Sequence, residues 1–251
     1  MPIQIEIVPC LSDNYAYLVK SGDACAVIDP SEAAPVRAAL ARTGWKLTHI
    51  LNTHHHLDHC GGNLELKQQT GAIVVGPDKD AARIPGIDVG VTEAGGWQWD
   101  GRKVRVLEVP AHTRASIAFV IDANAFTGDT LFSMGCGRLF EGDAAMMWNS
   151  LSKLMTLPDD TQIYCGHEYT ESNGRFALTL EPDNDALQKR MEEVRALRAA
   201  GKPTIPVSMA TEKATNPFLR PDAPQIRKSL GMEGADTVAA FHEIRARKNR
   251  F

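Results

Sequence analysis

The strongest constraint on this chain is the run Thr53-His54-His55-His56-Leu57-Asp58-His59, which crowds four histidines and an aspartate into seven residues. A strand-like segment, His49–Asn52, precedes the run, and a helix-like segment follows it. A lone histidine is usually a solvated or hydrogen-bonded residue, but so many imidazoles and carboxylates beside an apolar strand are costly to bury without an ion. Their spacing and chemistry suit zinc, iron or manganese. The run therefore predicts a site for one or two metal ions on a strand-to-helix turn.

Further ligands are expected at the ends of three later strand-like segments. These segments end in Pro110-Ala111-His112, in Gly128-Asp129 and in Gly166-His167. Strand ends meet at one edge of a sheet, where folds of this kind carry their sites. Asp129 alone could be an ordinary turn residue, but three strands that end alike favour a shared metal site. The remaining histidines, His49, His55 and His242, are predicted to be structural or surface residues, and His55 is expected to face away from His54 and His56.

Composition excludes several classes of protein. The 251 residues are 43% apolar and carry 27 Lys and Arg against 31 Asp and Glu, a net charge of −4, with no long run of either sign. Nucleic acids and anionic membranes require a basic surface, so neither is an expected partner. The apolar stretches are strand-sized, and Met1–Glu6 lacks the features of a signal peptide. Five widely spaced cysteines without a Cys-x-x-Cys motif indicate reduced thiols, so we expect a cytoplasmic protein.

The chain changes character along its length. Up to about Glu168, short strand-like runs alternate with a few helical stretches, which predicts stacked sheets with outer helices. The predicted strands are Ile3–Val8, Ala16–Lys20, Ala24–Ile28, His49–Asn52, Ile73–Gly76, Val104–Val109, Ile117–Ile121, Ala125–Thr127 and Ile163–Cys165. The predicted helices of this part are Glu32–Thr43, Gly62–Thr70 and Met146–Leu157.

Strand signals stop after about Asn173, and helix signals replace them. Asp183–Ala200 carries apolar residues at helical spacing and ends at Gly201 and Pro203. Two further helices are predicted, one after Asp222-Ala223-Pro224 and ending at Gly231, and one capped by Asp236. We therefore predict an α+β protein with a sheet-rich domain at 1–172 and a smaller all-α domain at 173–251.

These motifs together resemble the metallo-β-lactamase superfamily and, within it, the hydroxyacylglutathione hydrolases, or glyoxalase II. The His/Asp run is typical of the superfamily, whereas blocks near the C-terminus point to the hydrolases. The resemblance covers essentially the whole chain and rests on Leu11-Ser12-Asp13-Asn14-Tyr15, Thr53–His59, Gly128-Asp129-Thr130-Leu131-Phe132, Gly135-Cys136-Gly137-Arg138, Cys165-Gly166-His167-Glu168-Tyr169, Thr215-Asn216-Pro217-Phe218-Leu219-Arg220 and Arg245-Ala246-Arg247-Lys248. It implies an αββα metallo-β-lactamase sandwich followed by a helical domain that helps to bind glutathione.

The resemblance also implies two divalent metal ions per chain, zinc first, with iron or manganese as alternatives. It assigns one ion to His54, His56 and His112, the other to Asp58, His59 and His167, and the bridging position to Asp129. A metal-bridging hydroxide held by these ligands, Asp58 and Asp129 included, would attack a thioester carbonyl. The thiol leaving group has a pKa of about 8.5 and therefore departs readily. The implied reaction converts S-(R)-lactoylglutathione and water to D-lactate and glutathione in methylglyoxal detoxification.

Six residues match positions that contact glutathione in the family. Arg245 and Lys248 would bind its carboxylates, and the others are Arg138, Phe140, Tyr169 and Asn173. Three departures from the family pattern accompany them: Arg138 replaces a lysine, Phe140 replaces a tyrosine, and Ala115-Ser116 replaces Gly-His. One cation thus has a different shape and one hydroxyl is lost, so we expect weaker binding of glutathione.

The expected partner is a small-molecule glutathione thioester, and the expected state is a monomer. Two other functions fit parts of the pattern. One is a different enzyme of the superfamily, such as a glutathione persulfide dioxygenase with one iron, or a lactonase. The other is a non-catalytic metal-binding scaffold, which the full set of seven ligand positions disfavours.

Overall fold

The computed structural model describes residues 2–251, and the chain divides into two compact units. The first unit takes the chain up to Glu108, together with Ala115–Asp122 and Phe126–Gly128. The second unit contains Val109–Arg114, Ala123–Ala125 and Asp129–Phe251. Over residues 2–251, no helix is both long enough and apolar enough to span a bilayer.

A six-stranded sheet forms the centre of the first unit, with its strands in chain order β1 to β6. The first three strands form an antiparallel meander, and β3 to β6 are parallel, with helices in the first two crossovers. Parallel neighbours need such crossovers because the chain must return to the same end of the sheet. The elements are β1 Gln4–Cys10, β2 Asn14–Ser21, β3 Ala24–Ile28, α1 Ala33–Thr43, β4 His49–Leu51, α2 Leu57–Cys60, α3 Asn63–Thr70, β5 Ile73–Pro77 and β6 Val89–Val91.

One face of this sheet packs against α1 and α3. Val27, Ile50 and Val74 of the central strands are fully buried, and Val36 of α1 and Leu66 of α3 pack into the same cluster. Because β3 and β4 are parallel neighbours, their carboxyl ends lie at the same edge of the sheet. The residues that follow these two strands are therefore brought together.

The first unit also contains an antiparallel ladder in which β8 pairs with both β7 and β9. These strands are β7 Trp97–Trp99, β8 Arg102–Glu108 and β9 Ile117–Ile121, and β10 follows at Asn124–Gly128. All five residues of β9 are buried, which explains its continuous apolar sequence.

Helices dominate the second unit. Its elements are β11 Leu131–Phe132, β12 Gly135–Cys136, α4 Ala144–Leu154, β13 Gln162–Cys165, α5 Thr170–Leu180, α6 Asp185–Ala199, β14 Val207–Ser208, α7 Met209–Thr215, α8 Pro224–Leu230 and α9 Thr237–Arg250. Leu187, Met191 and Val194 of α6 are buried against Met134 and Ala177. Asp143, Asn184, Ser208 and Asp236 cap α4, α6, α7 and α9 with side-chain hydrogen bonds.

All nine predicted strands are present, and the predicted helices are found with shifted ends. The expectation that strands stop after Asn173 is wrong, because β14 pairs antiparallel with Gln162 and Ile163 of β13. A two-residue strand carries no alternating pattern that a sequence could reveal. The predicted helix Met146–Leu157 is α4, which begins two residues earlier and ends at Leu154.

The N-terminus of α8 has no side-chain cap. The N-cap is Ala223 without a side-chain hydrogen bond, and Pro224 occupies the first helical position. The Asp222 carboxylate instead accepts hydrogen bonds from Arg227 and from the Thr237 hydroxyl. Helices α5 and α7 carry no strong periodic pattern and were not predicted.

Candidate metal centre

The turn after β4 is held by buried amide side chains. Asn52 donates from Nδ2 to the carbonyl of His59 at 2.9 Å, and Asn63 donates to Oδ1 of Asn52 at 2.7 Å. The backbone N–H and the hydroxyl of Thr53 donate to the two carboxylate oxygens of Asp29, at 2.8 and 2.7 Å. Asp29 follows β3, so the parallel pairing of β3 and β4 fixes the start of the histidine-rich run.

A first cluster of possible ligands consists of His54, His56, Asp58 and His59 on this turn together with Asp29 at the end of β3. Nε2 of His54 is 3.1 Å from Nδ1 of His56, so the two imidazole nitrogens face one another. His59 donates from Nδ1 to Asp29 at 3.1 Å, and its Nε2 lies 3.6 Å from Oδ2 of Asp58. A histidine that binds a metal typically donates its other ring N–H to a carboxylate in this way. Asp29, His54 and His59 also form one compact group of metal-capable atoms.

Asp58 lies in the first turn of α2. The N-cap residue is His56, which makes no side-chain cap hydrogen bond. Gly61 and Gly62 separate α2 from α3. A Cβ at Gly61 would lie 2.5 Å from the carbonyl oxygen of Ser31. Asn14 holds Asp58 by donating to its Oδ2 at 3.1 Å.

His55 points to different partners, as expected. Its Nδ1 donates to Asp80 at 2.9 Å, and Arg83 donates both to Asp80 at 2.6 Å and to Nε2 of His55 at 3.1 Å. His49 is also structural: its Nδ1 lies 3.2 Å from the indole nitrogen of Trp99, and burial lowers its pKa.

A second cluster, consisting of His112, Asp129 and His167, lies in the second unit. Oδ2 of Asp129 is 3.4 Å from Nε2 of His112 and 3.3 Å from Nε2 of His167. His112 donates from Nδ1 to the carbonyl of Arg138 at 3.0 Å, which directs Nε2 towards Asp129. One carboxylate oxygen therefore lies within 3.4 Å of two imidazole nitrogens from different segments of the chain.

Gly137 lies directly beside this cluster. A Cβ at this position would come 1.9 Å from the carbonyl oxygen of Asp129 and 3.1 Å from Nδ1 of His112. Real Cβ atoms do not approach backbone atoms so closely, so only glycine fits between the two ligand segments.

The donor atoms of both clusters fit divalent transition metals. Imidazole nitrogens and carboxylate oxygens are the ligands that zinc, iron and manganese accept, and hydrogen bonds to second groups already orient His59 and His112. Each His/Asp cluster thus offers donor atoms for a divalent metal ion.

Aromatic residues flank the second cluster. The ring of Tyr169 stacks on that of His167 at a centroid distance of 4.7 Å, and the ring of Phe140 meets that of His112 edge-on at 5.2 Å. Both aromatic side chains are exposed, at 38% for Tyr169 and 62% for Phe140. Arg138 is exposed as well.

The other three predicted glutathione contacts have partners within the second unit. Asn173 is buried and donates to the carbonyl of Ser133 at 3.1 Å. Arg245 is buried, donates to the carbonyl of Cys136 at 2.7 Å and lies over the ring of Phe218. Lys248 is half-buried and donates to the carbonyl of Ser172 at 3.1 Å. Burial and the charge of Arg245 lower the pKa of Lys248 to about 8.

Asp29 is the residue of the first cluster that sequence analysis missed. The pattern used for His112, Asp129 and His167, a ligand just after a strand, could have found it, since Asp29 directly follows Ile28 at the end of β3. Its partner Thr53 begins the histidine-rich run, but nothing local shows that the two segments are neighbours.

Comparisons with known proteins define the class of the chain. A family model described as "Metallo-beta-lactamase superfamily" matches residues 12–167, and one described as "Hydroxyacylglutathione hydrolase C-terminus" matches residues 168–251. The crystal structure of ETHE1 from Myxococcus xanthus covers 99% of this chain and 92% of its own, with a TM-score of 0.70 and 27% identity. The BLEG-1 B3 metallo-beta-lactamase, at 21% identity, has a TM-score of 0.66 over 86% of this chain and 99% of its own. The protein therefore has a metallo-β-lactamase domain followed by a helical domain, and the predicted α+β fold class is confirmed.

Curated relatives narrow the class to one family. The hydroxyacylglutathione hydrolases of Methylococcus capsulatus and Rhodospirillum rubrum are each 51% identical to this chain over 253 residues, and each alignment covers 99% of both proteins. The chain belongs to the hydroxyacylglutathione hydrolase family of the metallo-β-lactamase superfamily. The resemblance found in the sequence motifs is confirmed.

Proposed function

We propose that this protein is a binuclear metal-dependent thioester hydrolase that converts S-(R)-lactoylglutathione and water to D-lactate and glutathione, a step of methylglyoxal detoxification. The observation that carries the proposal is the position of Asp129, whose Oδ2 lies within 3.4 Å of Nε2 of both His112 and His167. Such a carboxylate suits a bridge between two cations. Full-length identity of about half to hydroxyacylglutathione hydrolases supports the substrate.

We assign the ligands as the sequence motifs imply. His54, His56 and His112 would hold one ion, Asp58, His59 and His167 the other, and Asp129 would bridge them. Zinc is our first choice, with iron or manganese as alternatives, because all three accept this mixture of imidazole and carboxylate. When bound, the ions would supply a nucleophile from water at neutral pH and a Lewis acid for the carbonyl.

The protein's own side chains prepare the site for this chemistry. Asp29 accepts a hydrogen bond from Nδ1 of His59, and the carbonyl of Arg138 accepts one from Nδ1 of His112. Both rings therefore keep Nε2 available as a ligand. Asn14 fixes the carboxylate of Asp58. Tyr169 and Phe140 present exposed aromatic surface beside His167 and His112, where a small acyl group could pack.

The helical part would bind the glutathione moiety. Lys248, and Arg245 beside it in α9, would attract the carboxylates, with Arg138, Tyr169 and Asn173 as further contacts. We propose a division into a catalytic domain at 1–172 and a glutathione-binding domain at 173–251, acting as a cytoplasmic monomer. The match of residues 168–251 to the C-terminal model of the hydrolases favours this function over a dioxygenase, a lactonase or a scaffold.

Metal analysis combined with a thioester assay tests the proposal. Purified protein should contain close to two divalent ions per chain and hydrolyse lactoylglutathione, and a chelator should abolish hydrolysis until metal is restored. Full activity with one ion per chain would exclude the binuclear assignment. Oxygen consumption with a glutathione persulfide, without thioester hydrolysis, would instead support the dioxygenase.

A further inference from the structure

The hairpin formed by β11 and β12 is too short to be stable without contacts to the rest of the chain. Each strand has two residues, and the register pairs Phe132 with Gly135 across the two-residue turn Ser133-Met134. Tight hairpin turns favour Gly or Asn at positions with positive φ, yet Met134 has φ of 54°. Short two-stranded hairpins are at best marginally stable in water. This hairpin therefore needs stabilisation from other parts of the chain.

Four buried polar side chains of the second unit provide it. We call them the polar clamp: Asn173 of α5, Glu212 of α7, Asn216 directly after α7, and Arg245 of α9. Together they form a hydrogen bond with one backbone group of every residue from 132 to 136. Asn216 donates from Nδ2 to the carbonyls of Phe132 (3.2 Å) and Gly135 (3.0 Å), and Asn173 donates from Nδ2 to that of Ser133 (3.1 Å). Oε2 of Glu212 accepts from the N–H of Met134 (3.0 Å), and Arg245 donates from Nη1 to the carbonyl of Cys136 (2.7 Å).

The side chains of the polar clamp are also closely packed against one another and against the hairpin. Glu212 and Asn216 are fully buried, and Asn216 also donates to Glu212 at 2.8 Å. A Cβ at Gly135 would lie 2.4 Å from Nδ2 of Asn173, so glycine allows that amide to reach the turn. Buried polar groups with this many partners hold one conformation, because each broken bond would leave a desolvated group unpaired.

Both ends of the hairpin lead into the second cluster. Asp129 lies two residues before β11, and Arg138 lies two residues after β12. The N–H of Gly137 donates to the carbonyl of Thr130 at 3.2 Å and closes the base of the hairpin. The carbonyl of Arg138 orients His112, whose Nε2 lies 3.4 Å from Asp129. The hairpin therefore sets the distance between a ligand carboxylate and the group that orients a ligand imidazole.

We propose that the polar clamp positions the metal ligands, with Glu212 and Asn216 as positioning residues of the hydrolase. The proposal rests on the metal role of Asp129 and His112 given above. It assigns a task to the Thr215–Arg220 block that substrate binding leaves unexplained: Asn216 holds the segment between two parts of the metal site. In this view the C-terminal helices serve the metal site as well as the substrate.

Zinc affinity tests the proposal directly. Asn216→Ala should weaken zinc binding by about 10- to 100-fold, the usual effect of removing a group that orients metal ligands. The affinity is measured by competition with a chromophoric chelator at a temperature where circular dichroism shows the variant to be folded. With lactoylglutathione, kcat should fall while KM changes little, because the substituted side chain acts on the metal ligands.

Asn184→Ala is the matched control. Asn184 accepts a hydrogen bond from the N–H of Leu187, as Asn216 accepts one from the N–H of Phe218 at 3.0 Å. Asn184 also donates to a backbone carbonyl, that of Ala214, but it does not bond the hairpin. This variant should lose stability and keep the zinc affinity of the parent within about twofold. If Asn216→Ala does not fold, Glu212→Ala carries the test, since it removes the acceptor of the Met134 N–H and leaves Asn216 in place. It should weaken zinc binding about fivefold, the equivalent of one hydrogen bond.

Two results would overturn the proposal. One is a folded Asn216→Ala variant, or a Glu212→Ala variant in its place, whose zinc affinity equals that of the parent. The other is an equal loss of affinity in Asn184→Ala, which would show that general destabilisation is the cause. Either result leaves the proposed hydrolase intact, whereas a parent protein that binds no divalent metal would overturn the proposed function itself.

Discussion

Nδ1 of His59 lies 3.1 Å from Oδ2 of Asp29, and both side chains are almost completely buried. The same carboxylate accepts two hydrogen bonds from Thr53, so Asp29 joins the end of β3 to the histidine-rich run. A carboxylate in this position orients the imidazole and raises its basicity as a ligand. Asp29 is therefore expected to influence metal binding through His59.

Replacing Asp29 with asparagine should separate this effect from folding. Asparagine tolerates the positive φ of 49° at this position and can still accept one of the bonds from Thr53. Asp29→Asn should therefore weaken zinc affinity by about 10- to 100-fold and reduce the free energy of unfolding by only about 1 to 3 kcal/mol. Chelator competition and urea unfolding measure the two quantities.

Asp80→Asn is the control for this substitution, because Asp80 makes the same kind of contact with His55 outside the ligand set. Its zinc affinity should match that of the parent. If Asp80→Asn weakens binding as much as Asp29→Asn does, then any buried carboxylate near the turn has the same effect.

The two clusters also predict a difference between Asp129 and His55. Asp129→Ala removes a carboxylate that serves two imidazoles, so activity should fall by more than the 10- to 100-fold typical of losing an outer partner. His55→Ala should retain most of the activity, since its ring contacts Asp80 and Arg83. Initial rates at matched metal content provide the comparison, and equal losses would contradict our assignment of His55 as a non-ligand.

Lys248 offers the cleaner test of glutathione binding. Arg245 is buried and bonds the hairpin, so its loss should also destabilise the fold, whereas Lys248 is only half-buried. An ionic hydrogen bond to a glutathione carboxylate contributes about 1.5 to 3 kcal/mol, so Lys248→Ala should raise KM by roughly 10- to 150-fold. Because the contact is remote from the reacting carbonyl, kcat should change little.

A small thioester without the glutathione carboxylates serves as the control substrate for Lys248→Ala. Its hydrolysis should be almost unaffected by the substitution. A parallel loss with both substrates would mean that Lys248 supports the structure of α9 rather than the binding of glutathione.

The lowered pKa of Lys248 predicts that the KM for lactoylglutathione depends on pH. Burial lowers this pKa to about 8, so the ammonium is charged below that pH and loses its proton above it. The KM for lactoylglutathione should therefore rise as the pH passes 8 and approach the value of Lys248→Ala. The α-amino group of the substrate titrates nearby, so Lys248→Arg, which stays charged, is the comparison. The same rise in the arginine variant would assign the effect to the substrate.

The sequence alone determined the kind of chemistry and the class of fold. His54, His56, Asp58 and His59 are separated by so few residues that one turn must carry them, and their imidazole and carboxylate groups are of the kinds that bind divalent metals. The strands were recognisable because buried β-runs such as Ile117–Ile121 are continuously apolar. Helix α6 was recognisable because Leu187, Met191 and Val194 recur at helical spacing.

Only the tertiary structure decided which distant groups support the ligands. Asp29 reaches His59 across 30 residues because β3 and β4 pair in parallel. Asn173, Glu212 and Arg245 reach the β11–β12 hairpin across 40, 78 and 109 residues. A hydrogen bond between distant residues leaves no periodic pattern in either segment, because a single polar side chain satisfies it whatever its neighbours are. The proposed ligands could therefore be predicted from the sequence, while the residues that orient them appeared only when the chain was folded.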